Sequence, residues 1–163
     1  MATFKAISPV AGTKLDQVDS APLFPLGFEV QGDGGADYGA GWFIYLKGVA
    51  NCALGSWVTF NSDDGSTTLL AANAIGPVAV SLGAIGATSY GWFQVSGKCV
   101  GKALTGFLDN GNVYATATAG SVDDAVVAGD RVKGAKGASN VDEGTLLADF
   151  EISNPFMDDG LAA

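Results

Sequence analysis

The chain contains no histidine. That absence removes Ser-His-Asp and Cys-His catalysis, histidine-based zinc sites and the commonest general base at neutral pH. Cysteine is nearly missing as well. Cys52 and Cys99 are too few for a disulfide framework, and without histidine they cannot complete a usual structural zinc site. In a reducing cytosol both stay thiols and behave as small buried hydrophobes, with a disulfide as the alternative. Lys98 precedes Cys99 and would favour a thiolate, but the Val-Ser-Gly and Val-Gly flanks read as the interior of a strand.

Positive charge is scarce. Eight Lys and Arg stand against 17 Asp and Glu, for a net charge of −9 and a pI near 4.1. The densest basic stretch is Arg131, Lys133 and Lys136, far from the clustered cations that track phosphates, so no nucleic-acid partner is expected. An acidic surface keeps an apolar chain in solution and opposes self-association before assembly. Long apolar runs are also lacking, although hydrophobic residues make up 48% and the mean hydropathy is +0.28. No stretch approaches the roughly 20 apolar residues that cross a bilayer, and no membrane partner is expected. The first residues, Met1-Ala2-Thr3-Phe4-Lys5-Ala6-Ile7, lack the basic and apolar regions of a secretion signal. The apolar surplus is therefore to be buried against protein.

Few chemistries survive these absences. A carboxylate pair could hydrolyse glycosides, with Glu29, Glu143 and Glu151 and the aspartates as candidates. Most aspartates sit beside glycine in turns, as in Asp33-Gly34, Asp63-Asp64-Gly65 and Asp158-Asp159-Gly160, and turn-formers need no catalytic explanation. No catalytic residue, cofactor or metal ligand is assigned. The loop Gln31-Gly32-Asp33-Gly34-Gly35-Ala36-Asp37 places two carboxylates four apart but lacks the remaining ligands of a calcium loop. Gly97-Lys98 and Gly101-Lys102 lack the spacing and the Ser or Thr of a phosphate-binding loop. Trp42, Trp57 and Trp92 could line a sugar-binding face, yet in a small β-domain large aromatics more often fill a core or a subunit interface.

What is present reads as an all-β chain, a small β-barrel, β-tulip-like or sandwich domain. Twenty-four Gly and five Pro interrupt the sequence too often for long helices. Runs rich in β-branched and aromatic residues alternate with turn signals, giving candidate strands at residues 42–47, 56–61, 67–70, 77–82, 90–96, 113–119, 130–135 and 145–152. Residues 71–75 suit one short helical turn. Asn61-Ser62-Asp63-Asp64-Gly65 and Asp109-Asn110-Gly111-Asn112 both predict hairpin connections. Gly41-Trp42-Phe43 recurs as Gly91-Trp92-Phe93, an echo that chance explains as well as a repeated module does.

The termini differ from the middle. Residues 1–27 hold Ser8-Pro9, Ala21-Pro22 and Phe24-Pro25, which fix extended backbone. Their apolar residues Phe4, Ile7, Leu23, Phe24 and Leu26 follow neither strand nor helix period. The segment is expected to be an extended N-terminal arm lying on a neighbour, ahead of a β-rich domain over 28–157 and an acidic tail over 158–163. Phe156 joins the expected contact residues. Frayed ends are the alternative.

The second half carries a texture of its own. Ala74-Ile75-Gly76-Pro77-Val78-Ala79-Val80 leads into Tyr90-Gly91-Trp92-Phe93-Gln94-Val95-Ser96-Gly97. Asp109-Asn110-Gly111-Asn112-Val113-Tyr114-Ala115 and Gly129-Asp130-Arg131-Val132-Lys133-Gly134-Ala135 follow. This resembles the small capsid decoration, or cement, proteins of tailed bacteriophages, over most of the chain from about residue 41 to 156. The motifs quoted are not catalytic signatures. The resemblance implies a β-barrel or tulip-like core made in the host cytoplasm and attached to the exterior of the virion capsid. The implied partners are the major capsid protein and further copies of the chain, as a homotrimer before a homodimer. No enzymatic activity and no cofactor are implied. Other readings stay open: another virion part such as a head fibre, tail or adaptor subunit, a carbohydrate-binding module for host attachment, or a carboxylate-dependent hydrolase.

Overall fold

Short β-prone runs separated by glycine, asparagine and aspartate cannot form extended helices, and they fold here as strands. The computed structural model describes residues 5–8 and 12–158, with side chains from residue 12 onward. In order, the elements are β1 (Lys5–Ser8), β2 (Val18–Asp19), β3 (Glu29–Asp33), α1 (Gly35–Tyr38), β4 (Ala40–Lys47), β5 (Trp57–Phe60) and β6 (Thr67–Leu69). Then come β7 (Gly76–Ser81), β8 (Tyr90–Lys102), β9 (Asn112–Ala115), β10 (Val122–Asp123), β11 (Arg131–Gly137) and β12 (Leu147–Met157). The sheet runs β1-β3-β4-β8-β7-β12-β11-β9-β10, with β2 added to β8 and the β5–β6 pair added to β7. Named strands pair antiparallel throughout.

The all-β expectation holds, and its form is sandwich-like. The sheet does not close into a barrel, which corrects the barrel reading. The reason lies in β8, whose first half pairs with β4 and β7 while its second half, residues 96–102, pairs with β12. One long strand thus serves two layers. The changeover is a bulge: Trp42 faces Ser96 and Phe43 faces Gln94, leaving Val95 extra on β8. The Gln94 side-chain amide donates to the carbonyls of Ser96 (3.0 Å) and Lys98 (2.9 Å), bracing the bulge from within. Gly97 has φ +104, and a Cβ on Gly41 would lie 2.7 Å from the Ser96 carbonyl oxygen. Only residues without a side chain fit these two places.

The core divides into three clusters because β4 is buried on both faces. Phe43 and Tyr45 meet Leu15, Val30, Leu82 and Trp92, whereas Ile44 and Leu46 meet Cys52, Val58, Ala79, Ile85, Phe93 and Val95. The third and largest cluster centres on Trp57, Phe107 and Phe150, with Trp57 and Phe150 edge to face at 4.9 Å. Each fully buried side chain of this size contributes about 1.5–3 kcal/mol relative to exposure.

Several expectations need correction. Residues 12–27 are not an arm: β2 pairs with β8, Leu15 is fully buried, and Phe24 packs on the aromatic cluster. At the other end β12 runs past the strand end expected at residue 152, through Pro155 and Phe156 to the buried Met157, inside the β-rich domain expected over 28–157. Asn110 does take a left-handed φ of 60°, but its turn joins no hairpin, since β9 pairs with β10 and β11. The hairpin over residues 61–65 forms as expected between β5 and β6. Strand β9 stops at Ala115 because the Thr116 hydroxyl engages the backbone of Thr118 and Ser121, competing with the ladder. The repeated Gly-Trp-Phe is no module either. Its two copies lie on neighbouring antiparallel strands, with Trp92 buried and Trp42 46% exposed.

Candidate interaction surface

Ten large apolar residues remain exposed on the described chain, and four of them, Leu23, Leu26, Ile75 and Phe156, lie on segments that contacts join in series. The first two owe their position to a buried hydrogen-bond cluster. The Tyr45 hydroxyl, at the end of a fully buried side chain, donates to the Asp19 carboxylate at 2.6 Å and accepts from the Leu23 amide at 3.2 Å. Gln17 donates to the second Asp19 oxygen at 2.8 Å. This fastens residues 17–23 over the aromatic cluster. Burial, and then the Asp19 hydrogen bond, push the Tyr45 hydroxyl up to about 12. Phe24 is drawn inward by edge contact with Tyr45 and a tilted contact with Trp92, both at 5.3 Å. Its neighbours turn outward, leaving Leu23 62% and Leu26 37% exposed.

Contacts carry the rim onward. Leu26 lies against Gly65, in the turn between β5 and β6, and the β5 residue Phe60 approaches Gly76. Gly76 and Pro77 pair with Met157 and Phe156. Ile75, 68% exposed, and Phe156, 43% exposed, complete the series. Lys133 lies opposite Phe156 and forms an ion pair with Asp158, edging the apolar rim with charge. A second exposed apolar group, Leu108 with Val126 and Val127, sits on loops tied by the Leu108 amide and Asp124 carboxylate at 3.0 Å.

The expected contact residues thus separate. Leu23, Leu26 and Phe156 are each exposed, Phe24 serves mainly the core, Ile7 belongs to β1, and Phe4 lies outside the described residues. Ile75 escaped the sequence reading because it sits in an apolar run resembling its buried neighbours. The one available signal was Gly76-Pro77 immediately after it, which starts a new strand. Val126 hides in the same way among the alanines and valines of 125–128.

Other candidates resolve into structural roles. Cys52 and Cys99 are buried and unpaired, and burial pushes the Cys99 thiol up, opposing a thiolate. Asp33, from the candidate calcium loop, accepts from the Gly35 amide at 2.9 Å. Among the described residues no three or more Cys, Asp or Glu converge as a metal set. Trp57 and Trp92 are buried and offer no sugar platform. No protein-family model, curated protein or solved structure matches this chain.

Proposed function

We propose that this protein is a structural subunit of a tailed-phage particle, bound to the outside of the capsid shell and stabilising it without making or breaking a bond. The observation that carries the reading is the rim of Leu23, Leu26, Ile75 and Phe156 on a domain whose core is already filled. Large apolar residues left exposed beside polar and charged neighbours suit a protein contact. The phage-like texture of residues 41–156 supplies the kind of partner, the major capsid protein.

Stabilisation follows from preferential binding to the assembled lattice over free capsomers. At a ligand concentration a hundredfold above Kd, each site contributes about 2.7 kcal/mol. Repetition over the shell turns a modest local term into resistance to internal pressure. Association of copies, as a homotrimer before a homodimer, adds avidity of roughly 10²–10⁴.

The test is co-sedimentation with purified capsids, comparing the wild type with the Leu26→Asp/Phe156→Asp double variant. Both positions are exposed, so the fold is expected to survive, as circular dichroism and thermal unfolding would verify. Capsid affinity is expected to fall about tenfold or more, the loss typical of central apolar contacts. Undiminished binding by a folded double variant, or no binding by the wild type, overturns the proposal. Antibody labelling of intact particles separates a head location from a fibre or tail one.

A further inference from the structure

A groove of about 410 Å³ lies across the outer face of the β8–β12 ladder. Val100 and Leu147 come from the ladder itself, Leu54 closes one side, and Tyr38 from α1 stands at another. Tyr38 is held there: its hydroxyl donates to Asp149 at 2.9 Å, Lys98 forms an ion pair with the same carboxylate at 3.0 Å, and the Lys98 ammonium lies 5.1 Å from the tyrosine ring centre. Facing this side is the loop that carries Ser139, Asn140, Asp142 and Thr145.

The loop is rigidified from within. One Asp142 oxygen accepts from the Gly144 (2.8 Å) and Thr145 (3.2 Å) amides, Asn140 accepts from the Asp109 amide (2.8 Å), and Ser139 accepts from the Asp149 amide (2.9 Å). Those bonds leave the second Asp142 oxygen, the Asn140 side-chain NH₂ and the Thr145 hydroxyl to solvent on exposed residues at the groove edge. The groove therefore combines an aliphatic floor, an aromatic wall and a fixed edge bearing both donors and acceptors.

We propose that this groove binds a saccharide. Sugar rings present apolar C–H faces and vicinal hydroxyls that each donate and accept, matching floor and edge respectively. Competing ligand classes fit less well. A net charge of −9 disfavours a polyanion such as a nucleotide. A peptide strand gains no edge on β12, whose backbone is engaged by β8 on one side and by β11 and Ala138 on the other. The site is separate from the apolar rim, and its test uses free protein, so it stands or falls apart from the capsid reading.

The experiment is an amide chemical-shift titration of the full chain with cellotetraose, chitotetraose, maltotetraose and sialyllactose at millimolar concentrations. At least one is expected to give saturable shifts concentrated at residues 38, 100 and 139–149. Thr145→Val and Asp142→Asn keep the loop's shape and its internal acceptors, and each is expected to weaken binding about tenfold, as for one well-placed hydrogen bond to a charged or fixed group. Overturning results are no saturable response to any of the four sugars, shifts mapping outside the groove, or unchanged affinity in both variants with the fold intact.

Discussion

Tyr45 shows how much one hydroxyl organises in this protein. It is fully buried, joins β4 to Asp19 and Leu23, and so holds the chain ahead of β3 against the sheet. In Tyr45→Phe the buried Asp19 carboxylate loses a donor, and the amide of the exposed Leu23 loses an acceptor. Urea unfolding should show a loss of about 1–3 kcal/mol, the cost of stranding buried polar groups. The pH dependence has a definite sign. Tyr45 is raised to about 12 in the fold, whereas an unfolded tyrosine titrates near 10. Between those values the unfolded chain releases a proton that the folded chain keeps, so stability is complete below about pH 10 and falls as pH rises toward 12. Tyr38 and Cys99 are raised as well, chiefly by burial, and add to the alkaline loss. A Tyr45→Phe variant should lose stability less steeply in that window, which pH-dependent urea midpoints would reveal.

At the scale of the element, the stretch from residue 12 to β3 is the clearest departure from the sequence reading. Prolines and a missing period described an arm; the structure uses the same residues as a cover over Phe43, Tyr45 and Trp92. No period is needed when a segment follows the contour of an existing sheet and supplies single anchors, here Leu15 and Phe24. The distinction is measurable. Leu15→Ala should cost about 2–5 kcal/mol in equilibrium unfolding, as for other buried leucines. Leu23→Ala should stay within about 0.5 kcal/mol, as exposed substitutions do. Equal and negligible effects at both positions would restore the arm. Strand β8 teaches the complementary lesson. Residues 90–96 were legible from composition and the flanks of Cys99 read as strand interior, and the strand does pass through both Gly97 and Gly101 to Lys102. Trp57 and Phe150 explain the second glycine, since a Cβ there would lie 2.7 Å from the Trp57 indole nitrogen and 3.0 Å from the Phe150 ring.

For the whole molecule, charge and apolar rim act in opposite directions. Under the proposed capsid-bound arrangement, copies carrying −9 each would repel when crowded, and that repulsion is screened beyond about 10 Å at 0.1 M salt and about 30 Å at 0.01 M. If apolar contact carries attachment, copy number per capsid should rise as salt increases from the lower value to the higher, measured by quantitative gel analysis of sedimented particles. A fall over the same range would place electrostatic attraction to the shell, and not the rim, in charge of binding.

Composition and local chemistry alone determined that the chain is all-β, that histidine-dependent chemistry is closed to it, that its cysteines are interior residues, and where most strands and the 61–65 turn lie. These properties depend on residue type and on neighbours a few positions away, which sequence displays directly. Tertiary structure decided which face of each apolar run meets the core. It buried Trp92 and exposed Trp42, turned Leu23 outward and Phe24 inward, and laid Tyr38 beside Asp149 across 111 positions of chain. Such choices rest on contacts between residues remote in sequence, and no local pattern encodes them.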